Sequence, residues 1–373
     1  MPQPLWIATR KGLFSLTADD NWRIDAPSFL GDPVSMVLED PRDGTVYAAL
    51  NLGHFGAKLH CSTDRGATWQ ERTVPSYAGV AADPPAPDAP PGSTAPQPPT
   101  LKQIWALEAG GLNQSGRLWA GTLPGGLFRS DDGGQAWTLA QSLWDMPERK
   151  NWFGGGYDWP GIHSVFVDPR NARHILVGVS CGGAWASEDD GVTWQCRATG
   201  MFAEYMPPPR REDPSIQDPH RVAVCRSQPE VMWTQHHNGV FRSTTGGREW
   251  SEVPAARPSN FGFAVAAHPH DPDTAWFAPA IKDERRVPVD ARLVISRTQD
   301  GGRTFDVFDR GLPSPSFDLI YRHALDVDDS GDVLAMGSTT GGLWLSEDAG
   351  ESWRTLSLNL PPIYAVRFGG TKN

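Results

Sequence analysis

Short apolar segments recur along the whole chain, and polar turns that contain glycine separate them. Pairs of such segments stand at 118–130 (LWAGTLPGGLFRS), 175–187 (ILVGVSCGGAWAS) and 333–346 (VLAMGSTTGGLWLS). Another alternating or apolar segment precedes each pair, as in 103–110 (QIWALEAG) and 162–169 (IHSVFVDP). Segments this short, with a period of two residues, are typical of β-strands. The pattern therefore predicts an all-β protein built from repeated groups of strands.

A short string, S-x-D-x-G-x-x-W, ends most of these groups. Its clear copies are 62–69, 130–137, 187–194 and 346–353; the weaker copies are 243–250 and 298–305, and 15–22 keeps only the two ends. In such a turn the aspartate can accept backbone N–H groups, the glycine supplies a positive φ, and the aromatic ring packs between sheets. We therefore expect these aspartates to stabilise turns rather than to catalyse a reaction.

The repeats predict a single domain, residues 1–373, folded as a seven-bladed β-propeller. The first repeat lacks an innermost strand, while the segment IYAVRF near the C terminus follows the last complete repeat, so the two should share one blade. Closing the ring in this way removes exposed sheet edges. The expected blades are 5–28 with 362–369, 33–75, 101–140, 161–198, 219–254, 260–309 and 317–359.

These repeats resemble those of the Asp-box (bacterial neuraminidase repeat) propellers of the sialidase superfamily. That group includes sialidases, xyloglucanases, the sortilin ectodomain and a photosystem II assembly factor, so the resemblance implies the fold more than one function. Sialidases of the group carry an R-I-P motif, whereas the nearest arginine here is Arg10 in ATRKG, and sialidase activity is not expected. Xyloglucanases place their cleft between two propellers, of which this chain supplies one.

The charge of the chain limits the partners that it can bind. A formal net charge of -11 and a pI near 5.4 argue against nucleic acid, because proteins that bind it present a basic face. No apolar run approaches the ~20 residues of a membrane span, and the N terminus lacks the features of a secretory signal. We expect a cytoplasmic protein without a nucleic-acid or membrane partner, whose cysteines are reduced thiols.

Four long segments should emerge at the face opposite the repeated turns. They are 76–100, 141–160, 198–218 and 279–292. Long loops on a rigid scaffold are often binding elements, which places the candidate site at this face. For the proline-rich segment 76–100, the composition favours a solvated flap. The segment 141–160 combines aromatic residues with three glycines, and could stack on a flat ligand or pack onto the propeller.

Histidines are concentrated at the same face. His163, His220 and His323 are expected near the mouth of the central channel, where they could bind a divalent metal ion. Together with His236, they are also the candidate acid and base catalysts. The alternative is that these histidines form hydrogen bonds between neighbouring blades.

Further residues of this face are candidates for ligand binding: Lys11, His54, Trp152, Tyr157, Asp158, Trp159, Cys181, His237 and Arg322. Cys181 could act as a nucleophile if a histidine lowered its pKa, or could be a small buried turn residue.

The sequence thus favours an enzyme of glycosyl-hydrolase type that binds, and hydrolyses or otherwise transforms, a polar small molecule or saccharide at the channel mouth. The alternative is a non-catalytic propeller that docks a protein partner on the same face. No cofactor other than a divalent metal ion is indicated.

Overall fold

The sheets are antiparallel meanders of four strands each, and there are seven of them in the part of the chain that the structure describes. The structure is a computed structural model, which describes residues 3–18, 21–82 and 97–370. The innermost strands of successive sheets contact one another around a closed circle. The predicted seven-bladed all-β propeller is therefore confirmed. Residues 83–96 of the predicted loop 76–100 lie outside the described residues.

Blades 1 to 4 contain the following strands: β1 (Pro4–Thr9), β2 (Gly12–Thr17) and β3 (Arg23–Ile24); β4 (Val34–Glu39), β5 (Val46–Asn51), β6 (Ala57–Ser62) and β7 (Gln70–Arg72); β8 (Gln103–Ala109), β9 (Leu118–Leu123), β10 (Leu127–Ser130) and β11 (Thr138–Leu139); β12 (Gly161–Val167), β13 (Ile175–Ser180), β14 (Gly183–Ser187) and β15 (Gln195–Cys196).

Blades 5 to 7 contain the remaining strands: β16 (Pro219–Val224), β17 (Met232–His236), β18 (Gly239–Ser243) and β19 (Ser251–Glu252); β20 (Phe261–Ala267), β21 (Ala275–Ala280), β22 (Ile295–Thr298) and β23 (Asp306–Phe308); β24 (Leu325–Val327), β25 (Leu334–Gly337), β26 (Leu343–Ser346) and β27 (Arg354–Ser357). The last strand, β28 (Ile363–Phe368), is the innermost strand of blade 1.

In the residues that the structure describes, the helical elements are short pieces in the loops. These are α1 (Gln141–Trp144) and the 3-10 turns Gly53–Phe55, Pro147–Asn151, Pro208–Arg210, Pro214–Ile216 and Val289–Ala291. In the described ranges, no helix has the length and apolar character needed to cross a membrane.

The C-terminal strand closes the ring as predicted. β28 pairs antiparallel with β1, with Leu5 opposite Phe368 and Ile7 opposite Val366. In the other blades the innermost strand comes first in sequence. Each meander therefore places its strand two to three loop, and its exit to the next blade, at one end of the channel. We call this end the upper mouth; the segments 141–160, 198–218 and 279–292 open there, and so do the described ends of 76–100.

The repeated turns at the opposite end form the hydrogen bonds expected of them. In the turn of blade 4, the Asp189 carboxylate accepts the backbone N–H of Thr193 at 2.8 Å and its hydroxyl at 2.7 Å. The Ser187 hydroxyl accepts the N–H of Gly191 at 2.8 Å. Gly191 has a φ of 83°, and a Cβ added there would lie 3.5 Å from Trp119 of blade 3. The turn therefore stabilises both its own blade and the contact with the preceding blade.

The turn of blade 5 preserves this geometry without a carboxylate. Thr245 occupies the position of the aspartate, and its hydroxyl accepts the N–H of Glu249 at 2.9 Å. The Ser243 hydroxyl accepts the N–H of Gly247 at 3.0 Å, as in the other turns. Comparing the turn of blade 5 with that of blade 4 therefore shows what the negative charge of the aspartate adds to the stability of the turn.

We predict that Asp189→Asn lowers the Tm by a few degrees near neutral pH. The difference in Tm between this variant and the wild type should become smaller in acid. Hydrogen bonds from Thr193 lower the pKa of Asp189 to about 2. Because this value lies below the usual pKa of about 4, the contribution of Asp189 is complete above roughly pH 4 and is lost as the pH falls through about 2. Calorimetry over this pH range measures the effect.

Thr245→Ala is the matched control, because it removes an uncharged hydrogen-bond acceptor from the equivalent turn. Its deficit in Tm should not depend on pH in the acid range. Equal pH dependence of the two variants would contradict the assigned role of the Asp189 charge.

Candidate functional site

Irregular pairing of the innermost strands directs side chains into the upper mouth. The registers of β8, β12 and β16 each shift by one residue near the start of the strand, and the extra residues are Trp105, His163 and His220. β20 has a similar shift that includes Phe263. A β-bulge leaves its extra residue outside the ladder and re-aims its side chain. These four rings therefore lie at equivalent places around the mouth.

Asp218 is the centre of the polar site, although sequence reasoning did not select it. Its carboxylate is buried, and Oδ2 lies 3.4 Å from His220 Nε2 and 3.5 Å from His237 Nδ1. The other oxygen, Oδ1, accepts the Cys181 backbone N–H at 3.1 Å and lies 3.4 Å from the Ser180 hydroxyl. The DPH sequence placed Asp218 two residues before His220, which was the available signal. Asp218, His220 and His237 thus come from two adjacent segments of blade 5.

Electrostatics hold Asp218 in its charged form. Burial alone would raise the pKa of this carboxyl, but His220, His237 and the Arg322 guanidinium together lower the pKa well below its usual range. A buried carboxylate without such partners would take up a proton. The site therefore contains a negative charge that is shielded from water.

His220 is held by two different contacts. Its Nδ1 lies 2.6 Å from the carbonyl oxygen of Gly262, and its ring stacks on Phe263 with centroids 4.4 Å apart. A carbonyl oxygen only accepts hydrogen bonds, so Nδ1 carries a proton. Nε2 lies on the Asp218 side of the ring and donates to the carboxylate when the ring is doubly protonated. Burial lowers the pKa of His220 despite the nearby carboxylate.

His236 lies directly beneath the site and is fully buried. Its Nε2 faces the backbone N–H of Asp218 and its Nδ1 faces that of Asn238, each at 3.1 Å. Burial lowers the pKa of His236 to about 3, so that the ring is neutral. The geometry gives this histidine a role in fixing the backbone of Asp218. A catalytic role for His236 stays a prediction.

His163 and His323 are joined to each other rather than to Asp218. His323 Nε2 lies 2.7 Å from the backbone oxygen of His163, and His163 Nδ1 lies 2.9 Å from the Ser164 hydroxyl. Burial lowers the pKa of both rings well below the ordinary value. Among the described residues, the group whose potential ligand atoms all lie within 4.8 Å is Asp218, His220 and His237. Of the predicted metal set His163, His220 and His323, this group therefore contains His220 alone.

Arg322 brings a positive charge to the same mouth. Its guanidinium lies 5.0 Å from the ring centre of Trp105 and 5.2 Å from that of Phe263. The Nε atom is buried and has no hydrogen-bond partner. Burial lowers the pKa of Arg322, while Asp218 acts in the opposite direction. Elsewhere in the described part of the chain, the Nε atoms of four other arginines also lack a partner, so it is the position of Arg322 between two rings at the mouth that makes it a candidate ligand contact.

The segment 141–160 covers the polar site from above. A Cβ added to Gly155 would lie 2.8 Å from Cys181 Sγ and 3.6 Å from Asp218 Oδ2, so the backbone approaches closely here. Tyr157 is 47 % exposed and meets the edge of Trp105, with ring centres 5.2 Å apart. Trp152, by contrast, is buried against Trp185 and packs the loop onto blade 4.

The other predicted ligand residues lie farther out or have different surroundings. Trp159 is exposed beneath the Lys102 ammonium group, at 5.2 Å, and Asp158 is exposed beside it. Lys11 and His54 are exposed in the strand two to three loops of blades 1 and 2.

Cys181 does join the site, but not as an activated nucleophile. It is buried beside Asp218, to which it donates its backbone N–H. Burial, followed by the Asp218 charge, raises the pKa of its thiol far above the ordinary value. The thiol is therefore protonated at neutral pH, and reactive cysteines depend on the thiolate.

The fold and the upper mouth define the molecule as a seven-bladed propeller with a buried, histidine-rich polar site. No protein-family model matches the sequence. The chain is similar to the oligoxyloglucan-reducing end-specific xyloglucanase of Emericella nidulans, with 24 % identity over 64 % of this chain and 25 % of that protein. It is also 24 % identical to a probable enzyme of this kind from Neosartorya fischeri, over 68 % of this chain and 32 % of the relative.

Solved structures show the same architecture. The crystal structure of the GH74 xyloglucanase from Xanthomonas campestris matches with a TM-score of 0.66 and 18 % identity, over 95 % of this chain and 52 % of that one. An ancestral GH74 enzyme matches with a TM-score of 0.58 and 16 % identity, over 98 % of this chain and 40 % of that one. The chain thus spans about a third or less of the curated relatives and about half of the solved xyloglucanase. At these identities, the likeness to the solved structures shows the fold.

We predict that His323→Gln reduces the acid sensitivity of folding. Because the folded pKa of His323 lies well below the unfolded value of about 6.5, the unfolded chain takes up a proton that the folded chain cannot. The stability that depends on this neutral ring is complete above pH ~6.5 and is lost as the pH falls, by up to about 1.4 kcal/mol per pH unit.

Glutamine retains an N–H donor for the His163 carbonyl and does not titrate. Urea denaturation at several pH values between about 7 and 5 should therefore give a shallower slope of unfolding free energy against pH for the variant. Identical slopes for the two proteins would contradict the prediction.

Proposed function

We propose that this protein is a glycosyl-hydrolase-like propeller of the Asp-box group that binds a polar small molecule or saccharide at the upper mouth and transforms it there. The proposal rests chiefly on the Arg322 guanidinium, whose buried Nε has no partner although it lies among aromatic rings. A ligand oxygen at the mouth would accept a charge-assisted hydrogen bond from this guanidinium. The proposal concerns this pocket, and not the cleft between two propellers.

The aromatic surroundings of Arg322 favour a saccharide over a simple ion. Trp105 and Phe263 flank the guanidinium, and the half-exposed Tyr157 adds a ring at the rim. Aromatic faces combined with a few convergent polar groups are typical of small-ligand sites. Tyr157 and Trp159 are exposed in the same covering segment, so that a sugar ring could stack there without unfolding the loop.

The names of the sequence relatives point in the same direction. The similar proteins from Emericella nidulans and Neosartorya fischeri are named as xyloglucanases, which act on a saccharide. We therefore choose xyloglucan oligosaccharides as the first probe, with a uronic acid-containing oligosaccharide as an anionic counterpart. The guanidinium of Arg322 should favour the anionic probe if charge dominates recognition.

We predict that one of these two probes binds and that Arg322→Ala weakens its binding by at least about tenfold, because a charge-assisted hydrogen bond contributes roughly 1.5–3 kcal/mol. Tyr157→Ala should weaken it less, since one exposed stacking contact is lost. Isothermal titration calorimetry measures both values.

Phe55→Ala is the matched control, because Phe55 is a 73 % exposed aromatic residue in a strand two to three loop at the same end of the channel. Its affinity should equal that of the wild type. The proposal fails if neither probe binds, or if Arg322→Ala and Phe55→Ala bind equally well.

A further inference from the structure

We propose that Asp218, His220 and His237 bind one divalent transition-metal ion at the floor of the upper mouth. This inference deepens the proposed function, because the ion would be a cofactor of the same pocket, and in that respect it rests on that function. The three side chains offer one carboxylate oxygen and two imidazole nitrogens. Zn²⁺, Fe²⁺ and Mn²⁺ are all bound by such mixed sets in proteins.

The hydrogen bonding of His220 provides the first argument. Its Nδ1 donates to the Gly262 carbonyl at 2.6 Å, so the only other ring nitrogen of the neutral form has a lone pair. Nε2 lies 3.4 Å from Asp218 Oδ2, so a cation between these two atoms would contact both of them.

The spacing of the ligand atoms fits such an ion. Bonds of about 2.1 Å from a tetrahedral metal ion place neighbouring ligand atoms about 3.4 Å apart. Asp218 Oδ2 lies 3.4 Å from His220 Nε2 and 3.5 Å from His237 Nδ1. Two of the three separations therefore match neighbouring corners of one coordination shell, and all three ligand atoms lie within 4.8 Å of one another.

The groups around the ligands hold them in the required orientation. The Cys181 N–H and the Ser180 hydroxyl lie on the Oδ1 side of Asp218, so Oδ2 is the oxygen that faces the two rings. The Gly262 carbonyl fixes the tautomer of His220. Metal-binding histidines commonly donate their second N–H to a carbonyl in this way.

The backbone of the two ligand segments is tied together as well. The N–H of His237 donates to the Asp218 carbonyl at 3.0 Å, while His236 Nε2 accepts the Asp218 N–H. The ligands on β16 and after β17 therefore cannot separate easily. A site of this rigidity holds its ligand geometry before any ion arrives.

Three protein ligands leave one position open for water or for an oxygen of the bound molecule. Catalytic zinc sites have this composition, whereas structural zinc sites use four protein ligands. Gly155 lies above Asp218, where a side chain would occupy the space near Oδ2. The glycine of the covering segment thus leaves room for the fourth ligand.

The test measures binding of Zn²⁺, and separately of Mn²⁺ and anaerobic Fe²⁺, to chelator-treated full-length protein by calorimetry, together with the Tm. We expect one equivalent of at least one metal ion and a rise in Tm, since a ligand that binds only the folded state stabilises it. Asp218→Asn and His220→Ala should each weaken binding by at least about 100-fold, as expected for loss of a direct ligand.

His237→Gln tests the same set at a half-exposed position, where the fold is least at risk. His163→Gln is the control, because it removes a buried histidine of the same mouth that lies outside the group. Its metal affinity should stay within about threefold of the wild type, far less than the change for a lost ligand.

The inference is overturned if no ion binds stoichiometrically, or if His163→Gln weakens binding as strongly as His237→Gln. In the first case, Asp218 and a doubly protonated His220 would form an ion pair instead. Failure of the metal site is distinguishable from failure of the proposed function. If metal-free protein binds a saccharide and this binding depends on Arg322, the proposed function stands without the metal site. If the protein binds a metal ion but no saccharide, the metal site stands and the proposed function fails.

Discussion

The pairing of β28 with β1 is the interaction on which the rest of the molecule depends. Without it, β28 would have no partner strand, and the first blade would lack its innermost strand and expose the edge of β1. β28 also binds to its neighbours: the N–H of Val366 donates to the His323 carbonyl at 2.8 Å, and Arg367 extends to Glu108 of blade 3 at 2.9 Å. Ring closure therefore sets the positions of the innermost strands relative to one another.

Fixed innermost strands allow small irregularities to build a site. A single extra residue in each of β8, β12 and β16 moves a ring out of the ladder and into the mouth of the channel. The same irregularity in an open sheet would cause only a local bend. In a closed ring, the displaced side chains converge, and the segments that begin and end the strands of blade 5 add Asp218 and His237. Bulges in the innermost strands, together with the short segments beside them, thus bring the polar groups of the site together.

The fold could be predicted because its signals are local. The aspartate, glycine and tryptophan of each repeated turn act within eight residues, and the missing inner strand of the first repeat matched IYAVRF. The site could be predicted only in part, because bulges are not visible in an alternating pattern. Alignment of strands selected His323, but its Nε2 faces a carbonyl, while Arg322 beside it lies between Trp105 and Phe263. Asp218 was missed because its importance comes from tertiary contacts.

The two ends of the channel differ in whether their buried polar groups have hydrogen-bond partners. This difference indicates which end stabilises the fold and which end could bind a ligand. A cavity of about 380 Å³ occupies the lower half, and Arg221, Asp326 and Arg367 lie along it. There each of these groups has a hydrogen-bond partner: Arg367 bonds to Glu108, Asp326 accepts the N–H of Phe368 at 2.9 Å, and Arg221 donates to the His163 carbonyl at 3.4 Å. At the upper mouth, the Arg322 Nε has no partner, and Asp218, His220 and His237 bring potential ligand atoms within 4.8 Å of one another. Unsatisfied groups destabilise a fold unless something else satisfies them. The upper mouth is therefore where a ligand has hydrogen bonds left to make.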